Sequence, residues 1–215
     1  MIDKLMDPVS GLTHFVGALL SVAALVLLVV FGSIYATAWH VVSFSIFGAS
    51  LILLYAASSV YHLLPVSEGV RVVLRKIDHM MIFVLIAGTY TPICLVPLRG
   101  SWGWSLFGVI WGLAIAGVFM KIFWLHAPRW LYTAIYLGMG WIVAIAFYKI
   151  LHTMDFMGVF WLVLGGVFYS VGAVIYGLKK PNFSKHFGFH EIFHIFVMLG
   201  SLSHFFLMLD LVKVK

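Results

Sequence analysis

Long apolar segments follow one another along almost the whole sequence, and they restrict the chain to very few folds. Hydropathy places seven of them, at residues 11–34, 40–63, 79–98, 103–123, 130–150, 156–177 and 189–210. Each is close to the roughly 20 apolar residues that an α-helix needs to cross a lipid bilayer. Because the connections are short, we predict a single all-α membrane domain over residues 1–215, a seven-transmembrane helix bundle.

The composition excludes a soluble protein of ordinary design. Hydrophobic residues make up 64% of the chain and charged residues 9%, whereas soluble domains contain about 45–50% apolar residues. A single cysteine, Cys94, excludes an internal disulfide. The net charge of +6 does not require a nucleic-acid partner, since loops beside anionic lipid on the cytoplasmic side of a membrane are basic.

The distribution of lysine and arginine between the loops predicts the orientation of the bundle, because cytoplasmic loops carry the excess of positive charge. With the N-terminus placed in the cytoplasm, nine of the 13 basic residues lie inside and four outside. We therefore predict a cytoplasmic N-terminus and an external C-terminus. The inside set is Lys4, Arg71, Arg75, Lys76, Lys121, Arg129, Lys179, Lys180 and Lys185, and the outside set is Arg99, Lys149, Lys213 and Lys215.

Polar residues from three distant segments fall at the same membrane depth in this topology. Ser58 and His62 lie one turn apart at the cytoplasmic end of the second segment. Asp78 immediately precedes the third segment, at its cytoplasmic end, and His190 and His194 lie in the first turns of the seventh. Ionisable groups within a membrane are costly and usually mark a functional site, so we expect these five side chains to meet.

Three histidines, an aspartate and a serine have the composition of a zinc site. A catalytic zinc commonly has three protein ligands and a fourth position for water, and two histidines four apart on a helix can bind one metal. We expect His62, His190 and His194 to be the ligands. Asp78 would accept or deliver the proton or orient the water, and Ser58 would donate a hydrogen bond to a ligand or to a developing oxyanion.

Each of these residues also has a structural interpretation that the sequence leaves open. A membrane histidine is often a hydrogen-bonded packing residue, and Asp78 could be a helix N-terminal acid paired with Arg75 or Lys76. The letters of "HEIFH" also fit the zincin motif HExxH. We disfavour that interpretation and treat Glu191 as a bystander, because it points about 100° away from His190 on a helix.

Two further histidines are assigned by position. His14 lies in the first turn of the first segment, where it is either a support for the metal site or an interfacial residue. His204 lies ten residues beyond His194, about 15 Å further along a helix, so we expect it to serve helix packing and not the same metal.

Four ordered stretches resemble the hemolysin III family, the bacterial branch of the progestin and adipoQ receptors, which is related to the alkaline ceramidases. They are "DPVSGLTHFVGALLS", "SSVYHLL", "RKIDHMMIFVLIAGTYTP" and "HEIFHIFVMLGSLSHF", and they extend over nearly the whole chain. The resemblance implies zinc bound by His62, His190 and His194, with Asp78 holding or activating the water and Ser58 supporting the site. It also implies a multi-pass protein of the bacterial plasma (inner) membrane with the N-terminus inside.

Two functional hypotheses follow. The first is a zinc-dependent hydrolase of a lipid amide or ester, acting where acyl chains can enter the bundle from the membrane. The second is a non-enzymatic membrane regulator or receptor-like protein, or a pore-forming cytolysin, in which zinc is structural. In both, membrane lipids are the partners, with a lipid or fatty acid as the ligand within the bundle.

Overall fold

The computed structural model describes residues 7–124, 126–184 and 187–212, and these residues are almost entirely helical. No β-strand is formed within them apart from one isolated bridge between Ser184 and Phe187. The elements are α1 (Pro8–Tyr35), α2 (Ala38–Leu63), α3 (Glu68–Leu95), α4 (Ser101–Phe123), α5 (Arg129–Trp141), a 3-10 segment (Ile142–Ala146), α6 (Phe147–Thr153), α7 (Phe156–Leu178) and α8 (Phe189–Leu211).

Six helical segments of the described chain are long and apolar enough to cross a membrane. The protein is therefore a multi-pass membrane protein. The six are α1, α2, α4, the continuous stretch Arg129–Thr153 formed by α5, the 3-10 segment and α6, and then α7 and α8.

Helix α3 differs from the predicted third segment, and it is the helix on which the seven-span prediction depends. It begins at Glu68 instead of near residue 79, so its first turns carry charged side chains. Its second half is apolar, and every residue from Ala87 to Leu95 is buried among the other helices. Because α3 is not among the six membrane-compatible segments, the count of seven stays a prediction.

The helices form a ring in which chain neighbours mostly pack side by side. Helix α1 contacts α2, α2 contacts α3, and α3 contacts both α4 and α5; α5 then contacts α7, α7 contacts α8, and α8 returns to α1. Helices α1, α3, α5 and α8 begin at the end of the bundle where α2, α4 and α7 finish. Hydrogen bonds join these helix ends to one another. We call this end the histidine end.

The outer surface is apolar, as lipid contact requires. On α1, for example, Leu19, Leu20 and Ile34 are each more than half exposed. Large apolar side chains that face outward along whole helices are costly in water but not in hydrocarbon. The inner surface instead buries phenylalanines such as Phe44 and Phe83.

Close contact between α7 and α8 depends on glycine. A Cβ atom at Gly165 would collide with the imidazole of His204, and one at Gly200 would meet the ring of Tyr169 at 2.9 Å. Small residues of this kind allow helices in a membrane to approach each other closely. They let α8 bring its histidines to the wall of the bundle interior.

The orientation of the bundle relative to a membrane stays a prediction. Four residues of the charge count, Lys4, Lys185, Lys213 and Lys215, lie outside the described residues. Lys121 and Arg129 were also counted as loop charges, but both belong to helices. Arg129 is the first residue of α5, and Lys121 lies in the last turn of α4 with only 2% of its surface exposed.

Candidate metal centre

Three histidines meet at the histidine end of the bundle. His62 lies in the last turn of α2, and His190 and His194 lie in the first turns of α8. One ring nitrogen from each histidine lies within 4.8 Å of the corresponding nitrogen of the other two, so the three residues could hold a metal ion. His62 and His194 are buried, and His190 is partly buried.

The spacing of one pair of these nitrogens fits a small tetrahedral metal. Nε2 of His190 lies 3.3 Å from Nε2 of His62. Two nitrogens bound at about 2.05 Å to one tetrahedral zinc would lie about 3.3 Å apart. The ring centroids of His190 and His194 are 4.6 Å apart.

Contacts at Nδ1 hold His62 and His194 in the tautomer that metal binding requires. Nδ1 of His62 lies 3.2 Å from Oδ2 of Asp7, and Nδ1 of His194 lies 3.3 Å from the carbonyl oxygen of Ser10. A carboxylate and a carbonyl can only accept hydrogen bonds, so each Nδ1 carries the hydrogen. Nε2 of His62 and of His194 is then left with a free lone pair for a metal.

Both acceptors belong to the start of α1. Asp7 is the N-cap of this helix and Pro8 occupies its first turn, an arrangement favoured at helix starts. The backbone N–H of Asp7 also donates to the carbonyl of His62 at 3.1 Å. Burial raises the pKa of Asp7, but hydrogen bonds from His62 and Ser10 outweigh it and leave the pKa below its ordinary value. Asp7 therefore faces His62 as an anion.

Glu191 is not a bystander. Its Oε1 accepts a hydrogen bond of 3.1 Å from the Ser10 hydroxyl, and its Oε2 accepts one of 2.6 Å from the backbone N–H of Gly188. It thus caps the first turn of α8 and ties that turn to α1. Both carboxylate oxygens are occupied in these structural contacts, which argues against the role of catalytic base that HExxH would give it.

Ser58 and Asp78 are buried beside His62, His190 and His194, which we call the histidine cluster. Ser58 is 2% and Asp78 9% exposed. The Ser58 hydroxyl interacts with the Asp78 carboxyl, and the charges of His62 and Lys121 act on that carboxyl as well. The two residues and the histidine cluster therefore lie together, although three separate helices supply them.

His14 and His204 occupy different places. The ring of His14 stacks on His194 with centroids 3.7 Å apart, and neither of its buried nitrogens has a partner among the described residues. His14 thus packs against the cluster from α1. His204 lies against α7, with Nε2 3.3 Å from the carbonyl oxygen of Leu162, and it is not a member of the cluster.

A cavity of about 800 Å³ opens beside the cluster. His190 and His194 line it together with Ser58 and Asp78, and its wall continues as far as His204. Most of the rest is apolar, as in pockets that bind apolar ligands. The apolar part of the lining includes Leu54, Ile82, Leu85, Ile86, Ile93, Val143, Leu162, Phe193 and Val197.

Sequence reasoning missed the supporting residues Asp7, Ser10 and Glu191. The letters "DPVS" carry a recognisable helix-start signal, an N-cap aspartate followed by proline. That signal locates the beginning of α1, but it does not indicate that the same carboxylate faces a histidine of α2. Only the tertiary packing of α1 between α2 and α8 brings these groups together.

Comparisons with known proteins agree with the suspected family. A family profile described as "Haemolysin-III related" matches residues 3–205. A "Hemolysin-3 homolog" of Bacillus subtilis is 42% identical over 200 residues, which covers 93% of this chain and 91% of the relative. "Hemolysin-3" of Bacillus cereus is 39% identical over 200 residues, with 93% and 89% covered.

A more distant similarity extends beyond the bacterial proteins. An "ADIPOR-like receptor" of Saccharomyces cerevisiae is 39% identical over 51 residues, 21% of this chain and 16% of the relative. This match is consistent with the wider group of progestin and adipoQ receptors. The chain belongs to the haemolysin-III-related family, as its sequence motifs predicted.

Proposed function

We propose that this haemolysin-III-related protein is a zinc-dependent membrane hydrolase that cleaves an amide or ester bond of a lipid. One observation carries the proposal. His190, His194, Ser58 and Asp78 line an apolar cavity large enough for acyl chains, and His62 completes the histidine cluster beside it. A purely structural metal site would not need an acid, a hydroxyl and a lipid-sized space around it.

The donor set favours zinc over other ions. Three imidazoles with no cysteine or carboxylate ligand suit zinc, whereas magnesium and calcium prefer oxygen. Three protein ligands leave a fourth position open, which distinguishes catalytic from structural zinc sites. A bound zinc ion would supply Lewis acidity towards a carbonyl oxygen and make a water molecule nucleophilic near neutral pH.

The protein's own side chains would carry the remaining steps. Asp78 would take a proton from the attacking water and return it to the leaving amine or alkoxide. Ser58 would donate its hydroxyl hydrogen to the oxyanion, or orient Asp78. Asp7 and the Ser10 carbonyl keep His62 and His194 in their metal-binding tautomers.

The cavity would bind the acyl part of the substrate. Its apolar walls come from α3, α5, α7 and α8, and they extend from the cluster towards His204. His204 lies ten residues beyond His194, about 15 Å along α8. An acyl chain in this space would leave its carbonyl group at the histidine end, next to Asp78. The proposal includes the cytoplasmic orientation of this end in a bacterial inner membrane.

The test is turnover of acyl lipids by the purified, zinc-loaded protein in lipid nanodiscs. A panel of ceramides, diacylglycerols and phospholipids separates amides from esters. We expect release of free fatty acid from at least one class, and we expect its loss in Asp78→Asn protein that keeps its zinc. Absence of fatty-acid release across the panel, with the metal site fully loaded, would contradict the proposal.

A lytic pore is the second candidate, and the names of the two Bacillus relatives favour it. In a pore the metal would serve structure alone. Ion flux into liposomes separates the candidates, because flux that persists in His62→Ala protein without zinc would support the pore over the hydrolase. A receptor-like regulator, suggested by the name of the yeast relative, would show neither flux nor turnover.

A further inference from the structure

Three basic side chains line the cavity at the histidine end. Arg75 comes from α3, Lys121 from the last turn of α4 and Arg129 from the start of α5. Among the described residues that line the cavity, Asp78 is the only carboxylate. The cavity wall therefore carries three basic side chains and one acidic side chain. We call Arg75, Lys121 and Arg129 the basic cluster.

Lys121 is the most buried member of the basic cluster. Only 2% of its surface is exposed, and its Nζ lies 3.0 Å from Nδ1 of His79 and 3.0 Å from the ring centroid of Tyr132. No carboxylate within residues 7–124, 126–184 and 187–212 forms an ion pair with it. Buried lysines are almost always paired, so this amino group lacks the close ion pair that usually accompanies such a position.

Arg129 is held in a fixed orientation without a carboxylate partner in the described chain. Its guanidinium lies 4.6 Å from the ring centroid of Tyr176 and 5.4 Å from that of Phe189. One of its N–H groups donates to the carbonyl of Tyr176 at 3.5 Å. Stacking on aromatic rings orients the planar donor group and leaves its other N–H groups available for a ligand.

Members of the basic cluster interact electrostatically with each other or with residues beside the histidines. Arg75 is near enough to Lys121 for their charges to repel, and Lys121 is near enough to Asp78 to attract it. The positive charge of Arg129 also acts on His190. Repulsion between basic groups in a partly dry cavity disfavours their charged forms, and an anion bound between them would relieve it.

We propose that the basic cluster binds the phosphate group of a lipid, so that the substrate of the proposed hydrolase is a phosphate-bearing acyl lipid. A phosphate offers several oxygens at different angles, which suits donors from three helices, and arginine and lysine are its usual ligands. A glycerol backbone would separate this phosphate from an acyl carbonyl at the histidine cluster. The assignment of a substrate rests on the proposed hydrolase, whereas phosphate binding itself does not.

Membership in the cavity wall, and not exposure, distinguishes the basic cluster from the other arginine of α3. Arg75 is exposed and Arg71, one turn earlier, is half-buried. Arg71 is absent from the cavity wall, whereas Arg75, Lys121 and Arg129 all contribute to it. Arg71 therefore provides a matched control with the same helix and the same charge.

The experiment measures lipid binding to zinc-stripped protein, so that turnover cannot affect the result. Native mass spectrometry of the detergent-purified chain gives the dissociation constants for dioleoyl phosphatidic acid and for dioleoylglycerol, which lacks the phosphate. We expect the phosphatidic acid to bind at least tenfold more tightly. Arg75→Gln, Lys121→Gln and Arg129→Gln should each remove most of this preference, and Arg71→Gln should keep it.

Three variants on three helices keep the test independent of any one that fails to fold. Equal binding of the two lipids, or equal loss of preference in Arg71→Gln, would overturn the proposal. Displacement of the lipid by micromolar inorganic phosphate would identify a site for free phosphate and overturn the lipid assignment. Phosphate preference in a protein that hydrolyses no lipid would refute the hydrolase and leave the binding site standing.

Discussion

Oδ2 of Asp7 lies 3.2 Å from Nδ1 of His62, which joins the first residue before α1 to the last turn of α2. The carboxylate fixes the imidazole so that Nε2 faces His190. Ser10, one turn later, does the same for His194 through its carbonyl. The start of α1 therefore contributes no metal ligand, yet it prepares two of the three ligands for binding.

The first prediction concerns the charge of Asp7. Asp7→Asn should lower zinc affinity about 10- to 100-fold, the usual effect of losing a carboxylate that supports a histidine ligand. Asparagine still caps a helix, so α1 should keep its start. Competition with a fluorescent chelator measures the affinity.

Asp155→Asn is the matched control for this prediction. Asp155 is the N-cap of α7 and accepts a hydrogen bond of 2.9 Å from the Gly158 N–H. It lies at the end of α7 opposite the histidine end. This variant should bind zinc as the wild type does. An equal loss in both variants would show that capping, and not the contact with His62, sets the affinity.

The second prediction separates the two carboxylates nearest the histidines. Asp78→Asn should reduce lipid turnover about 100- to 10,000-fold, the range expected for loss of a general acid–base group, while zinc stays bound. Glu191→Gln should reduce turnover less than about tenfold, since its contacts with Ser10 and Gly188 are structural. The measurement is fatty-acid release per bound zinc. A larger loss in Glu191→Gln would restore the zincin interpretation.

The third prediction tests the contact between α7 and α8. Gly165→Ala should destabilise the bundle by about 1–3 kcal/mol, because the new methyl group overlaps the ring of His204. Gly166→Ala is the control, since no atom lies within 4 Å of a Cβ there. The thermal unfolding midpoint in detergent reports the difference. Equal midpoints for the two variants would show that the helices do not meet as described.

The sequence predicted the helices well where hydropathy alone decides. Five of the seven predicted segments match uninterrupted helices to within a few residues, and Arg129–Thr153 covers the fifth with a short 3-10 interruption. Helix α3 extends far beyond its predicted start, because hydropathy does not register the charged turns from Glu68 to Asp78. Those turns are helical in spite of their polarity.

Helical periodicity and the distribution of loop charges predicted one part of the candidate site, the meeting of its three histidines. The spacing of His190 and His194 and the common depth of His62 were sufficient to propose that the three meet, and the structure places them together. The roles of Asp7 and Glu191 were not predictable, since they depend on which helix packs beside α1. Lys121 was mistaken for a loop charge because sequence position cannot distinguish the outside of a helix end from its inside.

The central claim is that His62, His190 and His194 bind one zinc ion. The most direct measurement is elemental analysis of the purified chain, comparing wild type with His194→Ala and with His204→Ala as a control for a buried histidine outside the cluster. We predict about one zinc per chain for wild type and His204→Ala, as expected of a single three-ligand site, and almost none for His194→Ala. Equal zinc content in wild type and His194→Ala would contradict the account.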